Sequence, residues 1–162
     1  MNIGRNLKSK FAVDLVLYIS FELANKYQLL PFAIFTPDQS SPFTRAVQRF
    51  AKTSLNFTVN VLQLRNTYHS EELLLTSERF ETVCSLFVDQ CTRDDFSGFT
   101  IESCLENCTI LAVLGSLRGM NEETGALFIS VQFIMNYLDI CESKGYIDCH
   151  FWRRVQIYCA ER

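Results

Sequence analysis

The spacing of apolar and polar positions along the chain predicts helices throughout. Over residues 8–29 the apolar side chains recur at helical intervals, and additional apolar positions on other faces predict a helix covered on two sides. Helical spacing returns over residues 43–65 and 77–90. A kink or break is expected near 53–58, because the threonines and asparagines there are poor helix formers. No segment shows a strand pattern, so the chain is predicted to be all-α.

The Thr100–Leu117 segment is the most apolar of these predicted helices. It carries only two charges, Glu102 and Glu106, and both lie in its first two turns. Its second half is apolar around nearly the whole circumference, which is typical of a helix that is buried or crosses a membrane. The run is shorter than the ~20 apolar residues of a membrane span. We therefore expect a buried central hairpin of two helices, about 100–118 and 121–142, surrounded by amphipathic helices.

Capping residues indicate where several helices begin and end. Ser41, followed by a proline, predicts the start of the second helix. Thr100 is expected to cap the central helix and Gly119 to end it. A short helix is expected after Ser70, and one or two short helices over residues 146–159 complete the pattern. These six to eight helices, joined by short links, are expected to form a single domain over residues 1–162.

Composition narrows the class of protein. The chain is 48% hydrophobic and 20% charged, which is unlike a disordered protein. The net charge is -3 with no basic block, so a nucleic-acid partner is not expected. The first residues lack the layout of a signal peptide, and no transmembrane tail is expected. Seven cysteines, an odd number, favour a reducing intracellular compartment.

The sequence lacks the motifs of catalytic and metal-binding proteins. His69 and His150 are the only histidines, and neither lies near a nucleophile motif. No phosphate-binding glycine loop, zinc helix or nucleophile elbow occurs. The spacing of Cys141, Cys149 and His150 fits no standard metal site. We therefore expect no enzymatic activity, no cofactor and no bound metal.

Three short motifs follow one another along the predicted helices. They are Val13-Asp-Leu-Val-Leu-Tyr18, Ser77-Glu-Arg-Phe-Glu-Thr-Val-Cys-Ser-Leu-Phe-Val-Asp89, and Tyr137-Leu138 followed by Tyr146-Ile147 and Trp152. In this order they resemble the first-helix signature, the fourth helix, and the sixth helix with the second homology region of the Bcl-2 family of apoptosis regulators. The resemblance covers nearly the whole chain and implies a Bcl-2-like globular helical bundle.

The resemblance also implies a function and a site. Pro-survival members of the family bind the Bcl-2 homology 3 helix of pro-apoptotic members in a hydrophobic surface groove. This chain is accordingly expected to inhibit apoptosis by sequestering such helices, as a compact viral homologue in the cytoplasm or at mitochondria. The groove walls would be helices 43–64 and 77–90, with the start of the central helix as the floor. The expected lining residues are Val47, Phe50, Phe57, Val61, Val83, Phe87 and Ser103.

Two departures from the family pattern affect this expectation. The family's N-W-G-R sequence is absent from the start of the central helix, where Glu102 or Ser103 would replace the arginine that pairs with an aspartate of the bound helix. Peptide affinity should then fall or specificity narrow. In the second helix, Val47 and Gln48 replace the glycine and aspartate of a death-ligand helix. The chain is therefore expected to be a receptor for such helices rather than a donor.

A second interpretation keeps the fold without the groove. Some viral proteins of this architecture close the cleft and regulate host inflammatory signalling through outer faces or as homodimers. Val13, Val16 and Leu17, together with the apolar Leu29–Phe35 segment, would suit a dimer surface. A homodimer could also cover the groove, so that a peptide would have to displace a subunit.

Overall fold

The computed structural model describes residues 3–26, 39–66, 77–93, 98–119 and 125–162. Every regular element in these ranges is an α-helix. The helices are α1 (Ile3–Lys26), α2 (Arg45–Asn66), α3 (Ser77–Cys91), α4 (Ile101–Gly119), α5 (Gly125–Ser143) and α6 (Phe151–Ala160). The prediction of an all-α chain is therefore confirmed. The expected short helix after Ser70 and the apolar Leu29–Phe35 segment lie outside the described residues.

The central position of α4 is confirmed. This helix packs against every other described helix. Leu111, Ala112 and Val113 are completely buried, although they point to different sides of the helix. A helix that is apolar all round can bury its surface only if other helices cover it on several sides. The uncharged apolar run over residues 108–114 of α4 therefore explains its place at the centre of the bundle.

Small side chains bring α4 and α5 close together in an antiparallel pair. A Cβ atom added to Gly115 would lie 2.3 Å from the Cβ of Ser130, so only glycine fits at this crossing. The Ser130 hydroxyl donates a hydrogen bond of 2.5 Å to the carbonyl of Leu111. Nearer the start of α4, the Asn107 side chain donates to the Tyr137 hydroxyl at 3.1 Å. These contacts pair early residues of one helix with late residues of the other.

One side of α5 faces solvent, in contrast to the expectation of a fully surrounded hairpin. Phe128, Gln132, Asn136 and Asp139 are exposed along this helix. Three of the four are polar, and they recur every three or four residues. The sheath of amphipathic helices therefore covers α4 but leaves one stripe of α5 open.

A buried lysine joins the first part of α1 to the last part of α5. Lys8 is 6% exposed, and its ammonium group lies 2.5 Å from Asp139 and 2.6 Å from Glu142. Burial alone lowers the pKa of this ammonium group. Hydrogen bonds and charge attraction from the two carboxylates outweigh that effect, so the pKa of Lys8 is raised above its ordinary value.

The second helix is continuous and begins later than expected. The Ser41 hydroxyl accepts a hydrogen bond of 3.1 Å from the Phe43 amide, but α2 begins at Arg45. No break occurs near residues 53–58, because burial of Val47, Leu55 and Val59 against the core outweighs the weak helix propensity of the threonines and asparagines. The Thr53 hydroxyl donates to the Arg49 carbonyl within the continuous helix.

The last helix packs against α2 and α4, and it contacts α1 through Trp152. The ring centroid of Trp152 lies 4.9 Å from that of Phe11. Gln156 donates a hydrogen bond of 2.6 Å to the Pro42 carbonyl and accepts one from the Thr44 hydroxyl. The turn before this helix uses Gly145 at a φ of 83°, a backbone conformation that favours glycine. Within the described ranges, no helix has the length and apolar character to cross a membrane.

Candidate functional site

A depression of about 530 Å³ lies between α2, the first two turns of α4 and α6. We call it the α2/α6 groove. Its lining residues are Arg49, Phe50, Thr53, Ser54, Phe57, Glu102, Glu106, Tyr158, Cys159 and Arg162. The groove combines aromatic rings with charged side chains of both signs. Such a surface can hold an apolar side chain and orient it with polar contacts.

The rotation of α2 brings its aromatic residues to the groove. Val47, Leu55 and Val59 are buried along one stripe of the helix, which packs into the core. Because this stripe faces the core, Phe50 and Phe57 lie outside it on the surface of α2, where both line the groove. A residue three positions from the stripe lies beside it, whereas a residue two positions from Leu55 and Val59 lies on the opposite side of the helix, as the exposure of Phe57 shows. The core packing of α2 thus determines which of its rings can meet a ligand.

Phe57 is the most exposed of these rings. It is 71% exposed and stands at the solvent side of the groove. Phe50 is half-buried and packs edge-on against Tyr158 of α6, with ring centroids 5.7 Å apart. Aromatic side chains are enriched in the buried centres of protein–protein interfaces, and Phe50, Phe57 and Tyr158 all line this groove. The groove therefore offers one free ring and one ring already held against α6.

Charged groups surround the apolar part of the groove. Glu102 and Glu106 lie one turn apart at the start of α4. Partial burial and then the Glu102 carboxylate raise the pKa of Glu106. The Arg162 guanidinium lies over the Tyr158 ring, 4.4 Å from its centroid. Burial and the nearby Glu102 raise the pKa of Tyr158 although Arg162 acts in the opposite direction.

Ser103 takes part in a helix cap rather than in the lining of the groove. The Ser103 amide donates to the Thr100 hydroxyl at 3.0 Å, and the Thr100 amide donates to the Ser103 hydroxyl at the same distance. This reciprocal pair satisfies two amides that the first turn of a helix leaves without partners. Thr100 therefore caps α4 as expected. Of the two residues that could replace the family's arginine, Glu102 lines the groove and Ser103 does not.

The residues expected to line the groove lie in different places. Phe50 and Phe57 line it, whereas Val47 is only 1% exposed and belongs to the core. Val83 and Phe87 are half-buried on α3 and pack against the core. Both expected walls, α2 and α3, contact the expected floor helix α4, and in the described residues they do not contact one another. Val61 was also expected to line the groove, but its side chain is not among those that the structure describes.

Sequence reasoning missed the contribution of the last helix. Tyr158 and Arg162 form one side of the groove, and Arg49 lies on the opposite side on α2. The only available signal was the amphipathic pattern of α6, in which Phe151 and Val155 are buried. Such a pattern identifies the inward face of a helix. It does not identify which neighbouring helix that face will meet.

A second depression, of about 560 Å³, lies between α1 and α5. We call it the α1/α5 depression. Its apolar lining residues are Val13, Val16, Leu17, Leu127, Phe128, Val131 and Met135. Phe128 is 65% exposed and Val13 is 39% exposed. Of the three α1 residues expected at a dimer surface, Val16 is buried and Leu17 is half-buried. The outer face that remains accessible is therefore formed mainly by α5.

Potential metal ligands are dispersed in the part of the chain that the structure describes. No group of three or more His, Cys, Asp or Glu side chains there is arranged to hold a metal ion. The α2/α6 groove instead combines one exposed ring, Phe57, with charged side chains of both signs.

No protein-family model, curated protein or solved structure matches this chain.

Proposed function

We propose that this protein inhibits apoptosis by binding the Bcl-2 homology 3 helix of pro-apoptotic proteins in the α2/α6 groove. The observation that carries the proposal is Phe57, which stands 71% exposed beside a depression of about 530 Å³ at the start of a buried central helix. The Bcl-2-like character of the bundle is part of the same proposal. It is supported by the order of the sequence motifs and by the central position of α4. The function would be exerted in the cytoplasm or at mitochondria.

The energetics of such binding are compatible with the observed surface. A Leu or Phe side chain that leaves water for an apolar site contributes roughly 1.5–3 kcal/mol. Ordering a flexible peptide into a helix costs about 2–5 kcal/mol of the gross interaction energy. Three or four apolar side chains on one face of the peptide can therefore offset that cost. Phe57 and Phe50 provide two rings against which such side chains can pack.

The proposal predicts that Phe57→Ala weakens binding of death-ligand helices. Purified protein is titrated with a panel of synthetic helices by fluorescence anisotropy. At least one helix should bind, and Phe57→Ala should reduce its affinity by about tenfold or more, because an aromatic contact is lost. Phe128→Ala is the matched control, since Phe128 is similarly exposed but lies in the α1/α5 depression. It should change the affinity less than about twofold.

Two results would contradict the proposal. One is the absence of binding of any such helix at tens of micromolar. The other is an equal loss of affinity in the Phe57 and Phe128 variants, which would show that the contact does not lie in the α2/α6 groove.

A second candidate function is supported by the α1/α5 depression. The protein would then be a homodimeric regulator of host inflammatory signalling with the Bcl-2-like fold and no peptide groove. Exposed Phe128 and Val13 on this face favour it. Light scattering during the same titration separates the two functions. A dimer that is lost in Phe128→Ala, without any peptide binding, would favour the second function over the first.

A further inference from the structure

The open face of α5 carries no charge over most of its length. Residues 125–138 include no Asp, Glu, Lys or Arg, although Phe128, Gln132 and Asn136 on this face are exposed. The exposed side of a surface helix usually carries charged residues. The centres of protein–protein interfaces are instead depleted of charge and enriched in aromatic residues and methionine. The composition of α5 therefore indicates that another protein surface covers this face.

The α1/α5 depression extends the uncharged face onto α1. Val13 and Leu17 line it from α1, and Met135 lines it from α5. Among the described residues that line it, only Asp139 is charged, and the Lys8 ammonium group already lies 2.5 Å from that carboxylate. A partner with a charged surface would lose hydration here without gaining an opposite charge. A second copy of this chain presents the same uncharged face, so neither copy would cover an unpaired charge.

The same face contains both a projection and a hollow. The Phe128 ring is 65% exposed at the rim of a depression of about 560 Å³. In a twofold dimer both copies use the same patch, so that patch must be complementary to itself. Two antiparallel α5 helices related by an axis near Gln132 would place each Phe128 opposite Met135 of the other copy. Each ring could then enter the other copy's depression.

The face has the size of a small specific interface. With 19 residues, α5 is about 28 Å long, and packed helices such as α1 and α5 lie about 8–10 Å apart. A face of these dimensions offers on the order of 600 Å² per copy. Two copies would then bury an area near the lower end of the roughly 1,200–2,000 Å² of specific interfaces. We therefore expect a dimer that dissociates on dilution.

The α1/α5 depression and the α2/α6 groove lie on different sides of the molecule. Among the described residues, α5 contacts α1, α3 and α4 but neither α2 nor α6. On α1, Phe11 packs against Trp152 of α6, whereas Val13 lies about 200° further round the helix, in the depression. A surface that covers α5 would therefore leave Phe57 and Tyr158 accessible in the groove.

We propose that two copies of this chain associate through their α1/α5 depressions, each inserting Phe128 into the other, while both α2/α6 grooves stay open. The dimer is then a bivalent receptor, and dimerisation and helix binding are properties of one assembly rather than alternatives. The association stands independently, whereas the occupation of both grooves by helices rests on the proposed function.

The first test measures association by sedimentation equilibrium at concentrations up to hundreds of micromolar. The parent protein should show a monomer–dimer equilibrium. Phe128→Glu should raise the Kd of the dimer at least about a hundredfold, because the symmetric contact loses two rings and gains two unpaired carboxylates. Phe57→Glu is the matched control, since Phe57 is similarly exposed, acquires the same charge and lies on the other side of the molecule. It should change the Kd of the dimer by less than about twofold.

A second variant guards against misfolding of the first. Gln132 is exposed and polar, so Gln132→Arg should fold normally. It should also dissociate the dimer, because two guanidinium groups would meet near the twofold axis. A parent protein that stays monomeric, or a dimer that persists in both variants, would overturn the inference. Monomeric protein that instead binds vesicles of phosphatidylcholine and phosphatidylserine through Phe128 would show that the face meets a lipid surface.

The second test examines whether the grooves are open in the dimer. Light scattering of the parent protein saturated with a death-ligand helix should give the mass of two chains and two helices. The helix should bind Phe128→Glu with an affinity within about twofold of the parent value. A helix that dissociates the dimer would show that the grooves are covered, and the inference would be wrong although sequestration stands. If no helix binds, the proposed function and the two-helix occupancy both fail, and sedimentation alone decides the association.

Discussion

Gly115 determines how closely the two most apolar helices can approach. An added Cβ atom would lie 2.3 Å from the Ser130 Cβ and 2.7 Å from its hydroxyl oxygen. Both distances are shorter than van der Waals contact, and Ser130 is fixed by its hydrogen bond to Leu111. Relief would therefore require α4 and α5 to separate. A shift of that kind would disturb packing along the whole pair.

Gly115→Ala is accordingly predicted to destabilise the protein. Overpacking of a dense core typically costs about 1–3 kcal/mol, and we expect a loss in the upper part of that range in urea denaturation. Gly119→Ala is the control in the same helix. A Cβ atom added there would lie 3.5 Å from Cγ and Cδ2 of Leu127, an ordinary van der Waals distance. A Gly119 variant that is destabilised as much as the Gly115 variant would contradict the assignment of the close contact.

The cap of α4 is the local feature on which the first two turns of that helix depend. Thr100 and Ser103 exchange hydrogen bonds through their side chains and amides. Glu102 and Glu106 follow within the same turns and form the acidic part of the groove. Fraying of this helix end would therefore change the positions of both carboxylates.

Thr100→Ala is predicted to lower the free energy of unfolding by about 1 kcal/mol, because it removes a capping oxygen. Thr100→Ser keeps that oxygen and should remain within a few tenths of a kcal/mol of the parent protein. Thermal and urea denaturation of the two variants provide the measurement. Equal stabilities for the alanine and serine variants would show that the cap contributes nothing.

Individual helices were predictable, but the position of α6 beside α2, which forms the α2/α6 groove, was not. The buried α4 follows from the apolar second half of its sequence, and α3 was expected over residues 77–90, within one residue of its observed end. The structure places Leu55 inside, in line with Val47 and Ala51. Periodicity describes each helix by itself, whereas the groove depends on how α2 and α6 are placed around α4.

Buried thiols affect the molecule as a whole. Burial, and to a smaller extent the negative charge of Glu81, raises the pKa of Cys84 to about 12. Burial is also the main cause that raises the pKa of Cys141 to about 12 and that of Cys159 to about 11. These thiols hold their protons more tightly in the folded state than in the unfolded state. The resulting stability is fully present below about pH 9 and is lost as the pH rises toward 11–12.

The protein is therefore predicted to lose stability under alkaline conditions even with a reductant present. Each such thiol lowers the free energy of unfolding by up to about 1.4 kcal/mol per pH unit between its unfolded and folded pKa values. Urea denaturation at a series of pH values from 7 to about 10.5 measures this slope. Cys84→Ala should reduce it, whereas Cys149→Ala, which removes an exposed thiol, should not. A stability that does not change over this interval would contradict the prediction.

The two hydrogen bonds of Gln156 have a consequence for biosynthesis. Through Pro42 and Thr44 this residue fastens α6 to the segment that leads into α2, more than a hundred residues earlier in the chain. Tyr158 and Arg162, which follow it, complete one side of the groove. A nascent polypeptide whose residues 151–162 are still inside the ribosomal tunnel has already exposed Phe57 but lacks that side. The α2/α6 groove is thus complete only after translation has passed this segment.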